Sequence, residues 1–177
     1  MGLFDTHAHL YDKAFDRDRE EVISRILQTL DYVVIPSEDV ATSQKAIALA
    51  ESHDCLYAAV GIHPQVTKDA TEEAMAELAD LANHHPKVKA IGEIGLDYYY
   101  LYTDKETQKK WFARQIELAK ELDLPILIHD RDAHGDTLDI LKQHKGKNLR
   151  GILHCFSGSL ETAKELMKLG FYISFAG

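Results

Sequence analysis

Apolar runs and stretches of helical period alternate along the whole chain. The apolar runs are LFDTHAHL (3–10), YVVIPS (32–37), LYAAVGIHP (56–64), VKAIGEIGL (88–96), PILIHD (125–130), RGILHCFSG (150–158) and GFYISFAG (170–177). Most are apolar at odd and even positions alike, as expected of parallel strands covered by helices. Helical period marks residues 17–30, 40–52, 71–83, 103–122 and 160–169, and more weakly 135–144. Glu72 and Glu73 fall in the first turn of the third stretch, and Gly170 is a stop signal for the last.

Seven strands alternating with about six helices require a parallel sheet, either an open doubly wound sheet or a closed barrel. The first strand–helix connection lacks the glycine-rich dinucleotide fingerprint, which disfavours the doubly wound form. Polar residues gather at the C-terminal ends of strands 1, 3, 4, 5 and 6, where a barrel places its chemistry. The expected fold is therefore α/β, of the TIM (β/α)8 barrel type, with only about seven strands present. Residues 1–177 read as one domain lacking the last β/α unit. Open edges at strands 1 and 7 are an aggregation liability, so a truncated product or fragment is expected.

Charge and cysteine content narrow the function classes. The formal net charge of -9, from 29 acidic and 20 basic residues, argues against a passive nucleic-acid-binding module with a basic face. It leaves room for an enzyme acting on phosphates, because bound divalent cations reverse the local field. Two cysteines, Cys55 and Cys155, and a start that runs straight into a strand pattern predict a reducing cytoplasm and no signal peptide. No apolar run reaches the roughly 18 residues of a membrane span. Cys155 is expected to face the helices as core.

Histidine carries more information than charge. Of ten histidines, His53, His84, His85 and His144 fall in or beside polar helical stretches, while His7, His9, His63, His129 and His154 end strand-like runs. In a strand, His7 and His9 share a face, and burying two neighbouring imidazoles is costly unless something binds them. With Glu93 ("IGEIGLD"), His129 ("LIHDRD") and His154 ("LHCFSG") they make five candidate metal ligands on four strands. Imidazole and carboxylate suit zinc, and also manganese, nickel or iron. Glu93 could bridge two cations about 3.5–4 Å apart, the spacing of two-metal hydrolases.

Taken together, FDTHAHL, GIHP, AIGEIGLDYY, KKWFARQIELAKELDLPILIHDRDA and GILHCFSGS resemble the TatD family of metal-dependent deoxyribonucleases, in order and spacing from about residue 3 to 177. The resemblance implies a TIM-barrel hydrolase that cleaves DNA phosphodiester bonds with a metal-activated water and one or two divalent ions of the zinc, magnesium, manganese or nickel class. It implies His7 and His9 as ligands of one metal, Glu93 as the bridge, and His129 and His154 as ligands of the second. His63 it implies as a substrate-phosphate contact; capping of a turn before Pro64 is the structural alternative. The family pattern continues to an aspartate in an ETD segment on strand 8, which this sequence does not contain.

Arg131 could neutralise a phosphate oxygen or pair with Asp97, Asp130 or Asp132. Asp97 reads either as a residue orienting a ligand or as a loop carboxylate. Tyr98, Tyr99, Tyr100 and Tyr102 could stack bases or serve as apolar cover for the mouth. Lys142, Lys145, Lys147 and Arg150 precede strand 6, away from the chemistry, and read as a solvated loop. The acidic helices predict DNA held locally at the mouth, as single strands or ends. Two other readings stand beside the nuclease: an amidohydrolase-type hydrolase of a small ester or amide, and an inactive truncated remnant.

Overall fold

A computed structural model describes residues 2–146 and 148–175. Lys147 and the last two positions of the 170–177 run lie outside the described residues. Seven parallel strands run in chain order: β1 (Phe4–Asp5), β2 (Tyr32–Ile35), β3 (Leu56–Val60), β4 (Val88–Asp97), β5 (Ile126–Arg131), β6 (Gly151–Leu153) and β7 (Phe171–Ile173). Helices α1 (Arg19–Ile26), α2 (Val40–Glu51), α3 (Glu72–His84), α4 (Lys105–Glu121), α5 (His134–Gln143) and α6 (Leu160–Lys168) fill the crossovers. The architecture is the α/β, TIM-barrel-like arrangement of curved parallel sheet and outer helices, with β1 and β7 as its two edges among the described residues.

Side-chain hydrogen bonds start several of these helices. Asp39, Thr71, Asp104 and Ser159 each accept a first-turn backbone N–H, and at α2 Thr42 returns the bond. The sheet face under the helices carries the main core, with Ile35, Leu56, Ile91, Ile94, Leu96, Ile126 and Ile128 against Phe112 and Ile116. The opposite face holds a small cluster, Ala59, Ala90 and Leu127 with Val34 and Ile152. His129 lies two residues beyond Leu127 and so shares that inner face.

A register shift in β4 does the positioning of Glu93. Ile91 pairs with Ile126 and Ile94 with Ile128, so three steps on β4 oppose two on β5. The extra residue is a bulge. It lets Ile91 and Ile94 both pack under the helices while Glu93, between them, turns to the inner face beside His129. Gly95 follows with φ 139°, and a Cβ there would stand 2.0 Å from the His129 carbonyl oxygen. A side chain at this position would push β4 away from β5.

Strands 1, 3 and 6 are shorter than their apolar runs. His7 and His9 lie past β1, His63 past β3, and His154 one residue past β6. Backbone bonds continue the ladder into two of these segments, Ala8 N–H to Val34 (3.1 Å) and His154 N–H to Ile128 (2.9 Å). Alternation therefore persists as far as the ligand candidates. It fails at Cys155, which is exposed with φ 46° rather than buried toward the helices. The chain has already turned there, so the expected core role is corrected. Among the described residues no helix is long and apolar enough to cross a membrane.

Candidate metal centre

Glu93 is the hub. Its carboxylate is 3% exposed, with Oε2 3.2 Å from His7 Nε2 and 3.6 Å from His9 Nε2, and Oε1 3.0 Å from His129 Nδ1. Burial alone would raise its pKa; hydrogen bonds from His129, His7 and His9 outweigh that and hold the carboxyl well below its ordinary range. Glu93 is thus an anion at neutral pH.

Two clusters share it, His7–His9–Glu93 and His63–Glu93–His129, each offering donor atoms within 4.8 Å of one another. In the first, His7 Nε2 and His9 Nε2 stand 3.1 Å apart. Two imidazole lone pairs cannot face each other at that distance without a proton or cation between them. His9 turns its other nitrogen, Nδ1, to the Tyr11 hydroxyl at 3.1 Å. His154 stacks on His7, ring centroids 3.4 Å apart at 12°. The Nδ1 atoms of both His7 and His154 are buried and have no hydrogen-bond partner among the described residues. Burial first, then the neighbouring His7 ring, pull the His154 pKa down to about 4, so His154 is neutral and able to donate a lone pair. Orphaned nitrogens and opposed lone pairs around one carboxylate fit a divalent cation.

On the second side His129 has both nitrogens engaged. Nδ1 meets Glu93 and Nε2 meets Asp97 Oδ2 at 3.0 Å. Burial opposes protonation here, but the bonds and charges of Glu93 and Asp97 prevail and raise the pKa. Asp97 is fully buried and is a tie, not a loop carboxylate. It also accepts from Gln65 Nε2 at 2.8 Å and from the backbone N–H groups of Tyr99 (3.0 Å) and Tyr100 (2.7 Å). An aspartate on Nε2–H fixes the tautomer that presents Nδ1 to a cation at Glu93.

His63 both caps and faces the centre. Its Nδ1 accepts from Gln65 N–H at 3.3 Å at the start of a 3-10 turn, and its ring meets that of His129 at 4.4 Å. Burial lowers its pKa to about 4. Neutral, with Nδ1 as acceptor, it carries its proton on Nε2 and is a donor there. Arg131 pairs with none of its neighbouring aspartates; it lies over Tyr99 and Tyr100, 4.1 and 4.9 Å from the ring centroids. Arg131, His129, Asp130, His154, Cys155 and Ser157 line a cleft of about 420 Å³.

Three participants carry no sequence signal strong enough to find them. Gln65 and Tyr11 are contact residues of the types that cap turns or fill cores anywhere. His134, which holds Asp130 at 2.8 Å, sits in a weakly periodic helix. Of the basic residues expected in a solvated loop, Lys142 falls instead in α5, 3.6 Å from Glu165, and Arg150 pairs with Asp123 just before β6.

The family model for TatD-related DNases matches residues 4–177. The chain belongs to this family of metal-dependent hydrolases. It is 47% identical over 176 residues to the uncharacterized metal-dependent hydrolase YabD of Bacillus subtilis, covering 99% of this chain and 69% of that one. It is 33% identical over 179 residues to the 3'-5' ssDNA/RNA exonuclease TatD of Shigella flexneri, covering 99% and 67%. The crystal structure of YjjV, a TatD homolog from Escherichia coli, superposes with TM-score 0.90 at 32% identity, over 97% of this chain and 66% of that one. The chain thus spans about two thirds of the length of these relatives.

Proposed function

We propose that residues 1–177 work as one barrel-type domain that hydrolyses DNA phosphodiester bonds with bound divalent cations. The observation that carries this reading is Glu93, one buried carboxylate with an oxygen toward each of two imidazole groups. His7, His9 and Glu93 would hold one cation, and Glu93, His129 and His154 a second. A divalent cation of the zinc, magnesium, manganese or nickel class supplies Lewis-acid charge against a phosphoryl oxygen and lowers the pKa of water.

The remaining roles belong to the chain itself. Glu93 stays ionised and bridges rather than moving a proton. His63 has Nδ1 committed to Gln65 N–H, so its Nε2–H donates to a phosphate oxygen. The Arg131 guanidinium, free of any aspartate, meets a phosphate from the rim of the cleft. The acidic helices repel a long duplex, so single strands or ends are the substrate. The 3'-5' ssDNA/RNA activity named for the Shigella relative supports this choice.

Zinc or manganese added to the cation-free protein is expected to raise its melting temperature and to support cleavage of single-stranded DNA over duplex and 3′-recessed substrates. Glu93→Gln should lower cation-dependent cleavage by more than the ~10–100-fold typical of losing an outer partner. Equal rates on all three substrates would remove the single-strand preference. Full activity of E93Q would remove the metal centre.

A further inference from the structure

The tyrosines after β4 are not cover for the barrel mouth. Tyr99, Tyr100 and Tyr102 are 58%, 38% and 64% exposed, while Tyr98 alone is tied down, by its hydroxyl to Asp136 at 2.6 Å. The exposed rings are nevertheless arranged. Tyr99 meets Tyr100 edge-on at 4.6 Å and 87°, and Tyr100 stacks on Tyr102 at 5.7 Å and 11°. The Arg131 guanidinium covers Tyr99 and Tyr100. Asp97 and Asp130, which could have neutralised it, are taken by His129 and His134.

Two connections join this cluster to the metal centre. Asp97 holds the backbone of Tyr99 and Tyr100 through Oδ1 and the His129 imidazole through Oδ2. Arg131 stands opposite Asp97 in the β4–β5 register, with no ion pair between them, and also lines the cleft beside His129 and His154. A displacement of the aromatic loop would therefore be felt at the imidazole.

We propose that Tyr99, Tyr100 and Arg131 form a stacking subsite for the nucleobase next to the phosphate held at the metal centre. The inference rests on the phosphodiesterase reading and names how its substrate is gripped. Aromatic faces accept any base, because every base has a π face. The guanidinium contributes cation–π contact and charge complementary to the backbone. A paired base is already stacked on both sides and cannot enter, so the occupant is a single-stranded polynucleotide.

The test compares the wild type with Tyr99→Ala/Tyr100→Ala and Tyr99→Phe/Tyr100→Phe on an oligo-dT strand and on the same strand with abasic terminal nucleotides. The alanine pair should raise KM on oligo-dT at least about fivefold, the low end of base–aromatic stacking. The phenylalanine pair should restore it, and the abasic strand should erase the difference between wild type and the alanine pair. Equal KM values on oligo-dT overturn the subsite while leaving the hydrolase. If the wild type cleaves neither strand with saturating manganese, the parent reading falls. Anisotropy of a fluorescein-labelled oligo-dT then decides the subsite alone, and equal binding by the wild type and the alanine pair overturns it.

Discussion

The two sides of the centre are built to different standards. On the β4–β5 side the strands run ten and six residues, Glu93 and Asp97 are buried, and both nitrogens of His129 have carboxylate partners. On the other side β1 has two residues and β6 and β7 three each. There His7 and His154 stack face to face, their Nδ1 atoms orphaned among the described residues, next to Phe4 and Phe175, which are 60% and 80% exposed. A buried polar atom without a partner costs about 1–3 kcal/mol. The β4–β5 side thus holds its geometry with its own carboxylates, whereas His7 and His9 on the first proposed cation, and His154 on the second, are left for the cations to complete. Cation binding is where the second side gains its order.

Acid is expected to break the difference most strongly. The unfolded chain protonates His63 near its ordinary 6.5, while the folded chain holds it neutral to about 4. Between those values the unfolded state binds more protons, so stability falls as pH drops through that window. The His63 contribution approaches about 3 kcal/mol. His154 acts in the same direction over the same window. His129 has the opposite sign: its raised pKa stabilises the fold below the unfolded value, and the effect is lost as pH rises through the raised folded one. Urea midpoints of cation-free protein should therefore drop between pH 7 and pH 4.5, and less so in His63→Gln. An identical drop in both proteins would refute the assignment.

The next largest effect is expected at Asp97. Asp97→Asn keeps one acceptor oxygen but loses the charge that fixes His129 Nε2–H, so cation affinity should fall ~10–100-fold. Zinc titration calorimetry reads this directly. An affinity within twofold of wild type would mean that β4 and β5 alone orient the imidazole.

That contrast also explains what could be read in the sequence. All six helices were legible from helical period, α5 most weakly, and observed ends fall within a few residues of expected ones. Long buried strands such as β3, β4 and β5 were legible as apolar runs. The ligand candidates were legible as histidines ending those runs, since inner-face alternation survives one or two residues past the ladder. It does not survive at Cys155, where the backbone takes a positive φ. Nor does periodicity reveal the β4 bulge that aims Glu93, which depends on pairing with β5. Asp97 was visible only as ambiguous, because its four partners come from three separate segments. Tyr11 and Gln65 were invisible because their residue types carry no signal of their own: Tyr11 meets His9 two residues away, and Gln65 reaches Asp97 only in the tertiary fold.

The smallest expected effect sharpens the comparison from the weaker side. Tyr11 is the neighbour that His9 Nδ1 has in place of a carboxylate, at 3.1 Å. Burial and the nearby charge of Glu38 raise the Tyr11 pKa, so its hydroxyl stays neutral across the working range. A neutral hydroxyl fixes a tautomer less firmly than an anion does, since bonds to charged groups are about twice as strong. Tyr11→Phe removes the oxygen and leaves the ring. Its cost in zinc affinity should be about tenfold or less, below that of Asp97→Asn. Calorimetry on both variants and the double variant measures the order, and the double should show additive losses, because the two residues hold different imidazoles. If Tyr11→Phe costs more than Asp97→Asn, the side with the orphaned nitrogens is the better organised one, and the asymmetry runs the other way.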